Sequence, residues 1–187
     1  MHLRFLIIFT LLFFARISVF GQKIMNQTFN DQIQTVRLFP STNEVALPIL
    51  NLNSGEELNF LFDELVEDSK TYYYTIVHCD QDWNPSQQET NEYIDGFTRA
   101  TIDDYNYSYN AIQPYVNYQL TIPNYDMTIT QSGNYALIVY EDEPQNPTIT
   151  RRFMVKENIV VIQENIILPK TKSNYQDYQE ITFNVIN

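Results

Sequence analysis

The stretch from Thr71 to Cys79 constrains the fold more than any other part of the chain. It reads T-Y-Y-Y-T-I-V-H-C, aromatic and β-branched residues with no Gly, Pro or Ala among them. In an extended strand Tyr72, Tyr74, Ile76 and His78 share one face, and Tyr73, Thr75, Val77 and Cys79 share the other. Neither face is simply polar, which predicts a central strand covered on both sides.

Shorter runs of the same kind recur between turn-forming residues. Ile33 to Phe39 ends at Pro40. Val45 to Leu50 contains Pro48, which cannot donate to a ladder and so marks an edge strand. After the turn Asn53-Ser54-Gly55, Leu58, Phe60 and Phe62 alternate with Asn59 and Leu61. Val116 to Ile122 stops at Pro123-Asn124. Asn134 to Glu141 and Thr148 to Val155 predict a hairpin whose loop is longer than the tight-turn types. Asn158 to Gln163 reads as a further short strand. Asp80 to Gln113 is irregular and polar, a long loop with short elements. No long stretch carries apolar residues at helical spacing.

Seven or eight short strands at this spacing predict an all-β fold, an immunoglobulin-like antiparallel β-sandwich. One local signature sharpens this. In Thr130-Gln-Ser-Gly-Asn-Tyr135, Tyr135 stands where such domains place a corner tyrosine whose hydroxyl bonds upstream backbone. Gly133 would supply the tight turn. Leu137 stands where antibody domains carry Cys, in keeping with no intersheet disulfide. A plain Gly-containing turn before a strand is the alternative.

The ends read differently. His2 and Arg4, the apolar run Phe5 to Ala15, and Val19-Phe20-Gly21 form a secretory signal over residues 1–21. The run is too short to span a bilayer. Residues 22–163 are expected to form the sandwich. Residues 164–187 are expected to be a linker (Pro169 to Gln179) and the first strand of a second β domain that the chain truncates. In that strand Ile181, Phe183 and Val185 share a face.

The formal net charge of −12 argues against nucleic-acid binding, which needs clustered Lys and Arg. Removal of residues 1–21 takes away Arg4 and Arg16 and leaves −14. Cys79 is the only cysteine, so no disulfide can form within one chain.

The segment His78-Cys79-Asp80-Gln-Asp82-Trp83-Asn84-Pro85-Ser86 concentrates reactive residue types. His78 and Cys79 are adjacent on a strand and point to opposite faces, which prevents both a dyad and a shared zinc site. Asp80, Asp82 and Asn84 match the first three ligand positions of a calcium loop, but Pro85 replaces its Gly and Asn91 its bidentate Glu. A carboxylate pair for glycoside cleavage is not singled out by any spacing. The bland reading makes His78 a strand-end histidine, Cys79 a buried hydrophobe, Asp80 and Asp82 acceptors for turn amides, and Trp83 a cap on the core. No catalytic residue, metal or cofactor is therefore expected. Tyr105, Tyr107 and Tyr109 form either an exposed stripe able to stack on sugars or a partner, or ordinary sheet packing. Arg151 and Arg152 point to opposite faces, one of them suited to pairing with a carboxylate.

A set of ordered runs carries a resemblance. It comprises His78-Cys79-Asp80-x-Asp82-Trp83-x-Pro85-Ser86, Glu92-Tyr93-x-x-Gly96-Phe97, Asp104-Tyr105-x-x-Ser108 and Tyr115-x-x-Tyr118-x-Leu120. Pro123-Asn124, Ser132-Gly133-Asn134-Tyr135 and Thr150-Arg151-Arg152-Phe153-Met154-Val155 follow. From about Ile33 onward the chain resembles the N-terminal part of the type IX secretion system plug proteins of Bacteroidota. The resemblance implies a non-enzymatic periplasmic protein at the inner side of the outer membrane. It would close the mouth of the translocon barrel, its partner, and take no small-molecule substrate. The alternative from the residues alone is an exported carbohydrate-binding module using the Tyr-rich surface.

Overall fold

The structure is a computed structural model that describes residues 23–167 and 178–186. The expected signal and most of the expected linker lie outside the described residues. Among the described residues no helix is long and apolar enough to cross a membrane.

Two sheets face each other. The first is built on β5 (Tyr73–Cys79), β11 (Gly133–Tyr140) and β12 (Ile149–Lys156), with β11 in the middle. Short β7 (Ala100–Thr101) extends it beyond β5. On the far side β12 carries β1 (Gln27–Thr28) antiparallel and β3 (Ile49–Asn51) parallel. The second sheet runs β2 (Ile33–Pro40), β4 (Leu58–Glu64), β9 (Val116–Ile122), β8 (Asp104–Tyr107). A helical turn, α1 (Thr90–Tyr93), leads into β6 (Ile94–Gly96), which pairs with β10 (Met127–Ile129).

The predicted all-β sandwich is therefore the fold. Period-two burial builds it. Leu58, Phe60 and Phe62 from β4 meet Val116, Tyr118 and Ile122 from β9 on one inner face. Tyr72, Tyr74, Ile76, Tyr135, Leu137, Val139 and Phe153 line the other. The rings interlock rather than merely touch. Phe62 stacks on Tyr118 at 4.8 Å and takes Tyr72 edge-on at 5.2 Å.

The alternation of β4 does not stop at Phe62. Its next inward position is Glu64, a carboxylate with no exposed surface. Lys70 reaches back to it, Nζ to Oε1 at 2.6 Å, and lies 3.6 Å from Glu141. Tyr118 holds the Lys70 backbone from both sides: its hydroxyl accepts the Lys70 N–H at 2.7 Å and donates to the Lys70 carbonyl at 3.2 Å. Tyr72 Oη and Glu64 Oε2 are buried beside this cluster without a hydrogen-bond partner among the described residues. Burial first, and the Glu64 charge second, hold the Tyr72 hydroxyl far above the ordinary tyrosine range.

Three expectations need amendment. The Val45–Leu50 run contributes only its end to a strand, because Ser41 to Pro48 is occupied by turns and bends, and the strand it enters is parallel. β5 is central only where β7 covers Tyr73 and Tyr74. The run at Asn158–Gln163 becomes β13 (Val161–Ile167), which pairs with β14 (Glu180–Ile186) in a separate two-stranded sheet. On that sheet Ile162, Ile166, Ile181, Phe183 and Val185 share one face and are exposed.

Candidate functional site

The segment after β5 folds on its own carboxylate. Asp80 Oδ1 accepts the amides of Asp82 at 2.8 Å and Asn84 at 2.9 Å, and Asn84 Nδ2 donates to Oδ2 at 3.1 Å. Those bonds, led by the Asn84 side chain, hold the Asp80 carboxyl below its ordinary value. Oxygens turned to N–H donors are poorly placed to ligate a cation. Among the described residues no group of three or more His, Cys, Asp or Glu side chains converges for a metal. Asp82 is exposed and offers its backbone amide, not its side chain, to the turn.

Trp83 takes a left-handed backbone, φ 68°, a conformation that costs a residue with a Cβ. Packing against Arg152 compensates: the guanidinium sits 4.5 Å from the ring centroid. Arg152 Nε also donates to the Ile24 carbonyl at 2.5 Å. Arg151 faces the opposite side, where Nη1 donates to Gln27 O at 2.9 Å and Nη2 to Thr28 Oγ1 at 3.0 Å. The two arginines do point to opposite faces, yet both clamp segment 24–28 through oxygens that carry no formal charge. Desolvation draws the Arg151 guanidinium below its ordinary value.

His78 lies on the inner face. Its ring is 5.1 Å from Tyr135 and 5.5 Å from Tyr93, and Nδ1 is buried without a partner among the described residues. A Cβ placed on Gly133 would stand 2.5 Å from His78 Nε2, and the backbone there has φ 157°, so both the ring and the backbone favour a glycine. Tyr135 makes the corner bond, donating to Gln131 O at 2.8 Å. Cys79 faces away from His78, and burial pushes its thiol up to about 11, which leaves it a poor nucleophile.

Burial also holds the His78 imidazole below the ordinary 6.5. An unfolded chain takes up that proton at about pH 6.5, so below it the unfolded state binds more protons. Stability is thus level above about pH 6.5 and declines as pH falls toward the lowered folded value. Thermal midpoints measured from about pH 7.5 down to about pH 5 should show this decline, and His78→Gln should flatten it. A parent midpoint that stays constant across the window contradicts the assignment.

The tyrosines lie elsewhere. Tyr105 and Tyr107, on β8, are exposed, and Tyr109 is 97% exposed. Tyr105 and Tyr107 meet edge-on, at 88° and 5.8 Å, and Tyr107 Oη donates to Ser69 Oγ at 3.0 Å. Two perpendicular rings do not make a flat platform for sugar stacking. The structure therefore places the predicted residues at two locations. His78, Gly133 and Tyr135 meet around one ring, with Asp80, Trp83 and Arg152 on the outer face nearby, whereas the tyrosine stripe stands on the opposite sheet. Glu64 and Lys70 went unmarked in the sequence: the alternation Leu58, Phe60, Phe62 reaches Glu64 only once the register of β4 is known, and no local pattern marks Lys70.

These residues are spent on bracing a sandwich. The family model for the type 9 secretion system plug protein 1st domain matches residues 33–157, and the chain belongs to that family. A crystal structure of a hypothetical protein from Parabacteroides merdae is similar at 33% identity and a TM-score of 0.76, over 87% of this chain. The match spans 41% of that protein's chain. An alkylpurine DNA glycosylase from Pseudomonas fluorescens aligns at 11% identity over 67% of this chain and 30% of that one. Its TM-score of 0.34 carries no argument. No curated protein matches. Membership ties the chain to type IX secretion and to the cell envelope.

Proposed function

We propose that this chain is a non-enzymatic part of the type IX secretion machinery, exported to the periplasm. There it closes the inner mouth of the outer-membrane translocon barrel by steric occlusion when no cargo is engaged. The observation that carries this reading is the plug-domain match across residues 33–157. The physics of the fold supports it. A stopper must resist deformation, and here the edge-on packing of Tyr72 against Phe62 and Tyr118, the Glu64–Lys70–Glu141 cluster and a double-arginine clamp tie the two sheets and the N-terminal segment together. The chemistry-bearing residues of the His78–Asn84 segment are occupied by turns and packing, which favours a structural role over turnover. In this reading the sandwich built from β1 to β12 is the working unit, and the β13–β14 pair follows it in the chain.

Stable occlusion needs an interface above roughly 1,000 Å², which one flank of a sandwich can supply. Translocon purified from outer membranes without engaged cargo is expected to retain this protein. Its loss from such complexes, with the barrel intact, would sink the proposal.

A further inference from the structure

We propose that the free edge of β8 is a strand-addition site for an extended polypeptide segment in which basic and apolar residues alternate. The inference stands whether or not the chain closes a pore.

Among the described residues no strand pairs with the outer side of β8, and its hydrogen-bond parity leaves that side open. Ser108 N donates to Tyr115 O at 2.9 Å, and the pairing continues as Asn106 with Asn117 and Asp104 with Gln119. In an antiparallel ladder the bonded pairs alternate. The even-numbered residues therefore bond β9, and the N–H and C=O of Tyr105 and Tyr107 point away from the sheet. All four residues of β8 are exposed. The other edges of the sandwich are blunted, as natural edges usually are. β2 is broken by a register shift between Gln34 and Arg37, with Thr35 at φ 54°, and ends on Pro40. β1, β3 and β7 are each two or three residues long, and β5 beyond β7 is met by the chain that follows it, where Ser86 N donates to His78 O at 2.9 Å and Cys79 bridges Pro85. β8 has neither Pro nor bulge.

The two faces beside that edge differ, and the difference defines the occupant. Tyr105 and Tyr107 share the face of Tyr118 and Val116 and offer aromatic surface. Asp104 shares the face of Gln119, where an open groove of about 520 Å³ is rimmed by Asp103, Asp104 and Asp126, and by Glu44, which Arg37 already pairs at 2.9 Å. From Ala100 to Thr150 the chain contains no Lys or Arg. Lys70, near the Tyr107 end, is engaged by Glu64 and Glu141. A strand added to β8 would thus turn alternate side chains to tyrosine rings and to carboxylates. Apolar residues suit the first and Lys or Arg the second. A second copy of the chain would bring Asp104 against like charge.

The test uses the full chain and a fluorescent peptide alternating valine and arginine. Two controls accompany it: a valine–glutamate peptide, and the valine–arginine peptide with every second amide N-methylated. Saturable binding of the first peptide is expected, with slowed amide exchange at Tyr105 and Tyr107. Affinity should fall at least tenfold on N-methylation, which blocks main-chain bonding on one edge. It should fall similarly in Asp103→Asn/Asp104→Asn, a surface change that leaves the core intact, and in Tyr105→Ala/Tyr107→Ala. Binding indifferent to N-methylation would reveal only a diffuse charge attraction and overturn the proposal. So would equal binding of the glutamate peptide, a concentration-dependent dimer that protects the same amides, or glycan binding that the tyrosine variant abolishes.

Discussion

Phe62→Ala is expected to lower the unfolding free energy by about 4 kcal/mol, within the range for emptying a buried aromatic site. Phe62 is fully buried on β4. Its ring stacks on Tyr118, takes Tyr72 edge-on, and lies 5.6 Å from Phe60. Because Tyr72 and Tyr118 also contact each other at 5.1 Å, the remaining rings brace one another and cannot collapse into the gap. Phe62→Leu, which keeps most of the apolar volume, should cost clearly less, about 1–2 kcal/mol. Denaturant titrations of the two variants decide the matter. A loss below about 1 kcal/mol for the alanine would mean that the two sheets do not meet at this ring.

Lys70→Met is expected to cost about 3 kcal/mol, at the lower end for breaking a buried ion pair, because the lysine side chain is 34% exposed. The loss comes less from the pair itself than from what it leaves behind. Glu64 would remain fully buried with neither oxygen matched by a cation, and a buried carboxylate without a partner is strongly disfavoured. Glu64→Met combined with Lys70→Met should recover most of the stability, since apolar replacements of similar volume are often neutral. Equilibrium unfolding of the single and double variants separates the two ideas. A double variant no more stable than Lys70→Met would show that the cost lies in lost lysine packing and not in the stranded charge.

How much of this could be read from the residues depends on how local each feature is. Period-two alternation marks Val116 to Ile122 and Leu58 to Phe62 directly, because a strand with one buried face imposes it. The Tyr135 corner is equally local: its hydroxyl bonds Gln131, four residues upstream. The Asp80 turn also closes within four residues. What escaped was long-range. Glu64 looks like any surface acid until its inward register is known. Arg151 and Arg152 suit a carboxylate on paper, and only the return of segment 24–28 to β12 reveals carbonyl and hydroxyl oxygens as their partners. The status of the tyrosine stripe likewise turned on whether β8 was an edge. β10 was missed because Met127 to Ile129 is too short to show a period.

The pairing of β1 and β3 with β12 has a consequence in time. Thr28 lies opposite Ile149, and Leu50 beside Val155. A chain delivered N-terminus first therefore presents its earliest strands about a hundred residues before their partner exists. Tyr135 and the β5–β11 pair can form meanwhile, but the arginines that fasten segment 24–28 sit on β12 and arrive late. Until they emerge, β1 and β3 lack the strand they pair with, although β2 can already pair with β4. The first sheet is completed by β12, and a chain interrupted before residue 149 lacks the one element that β1, β3 and β11 all need.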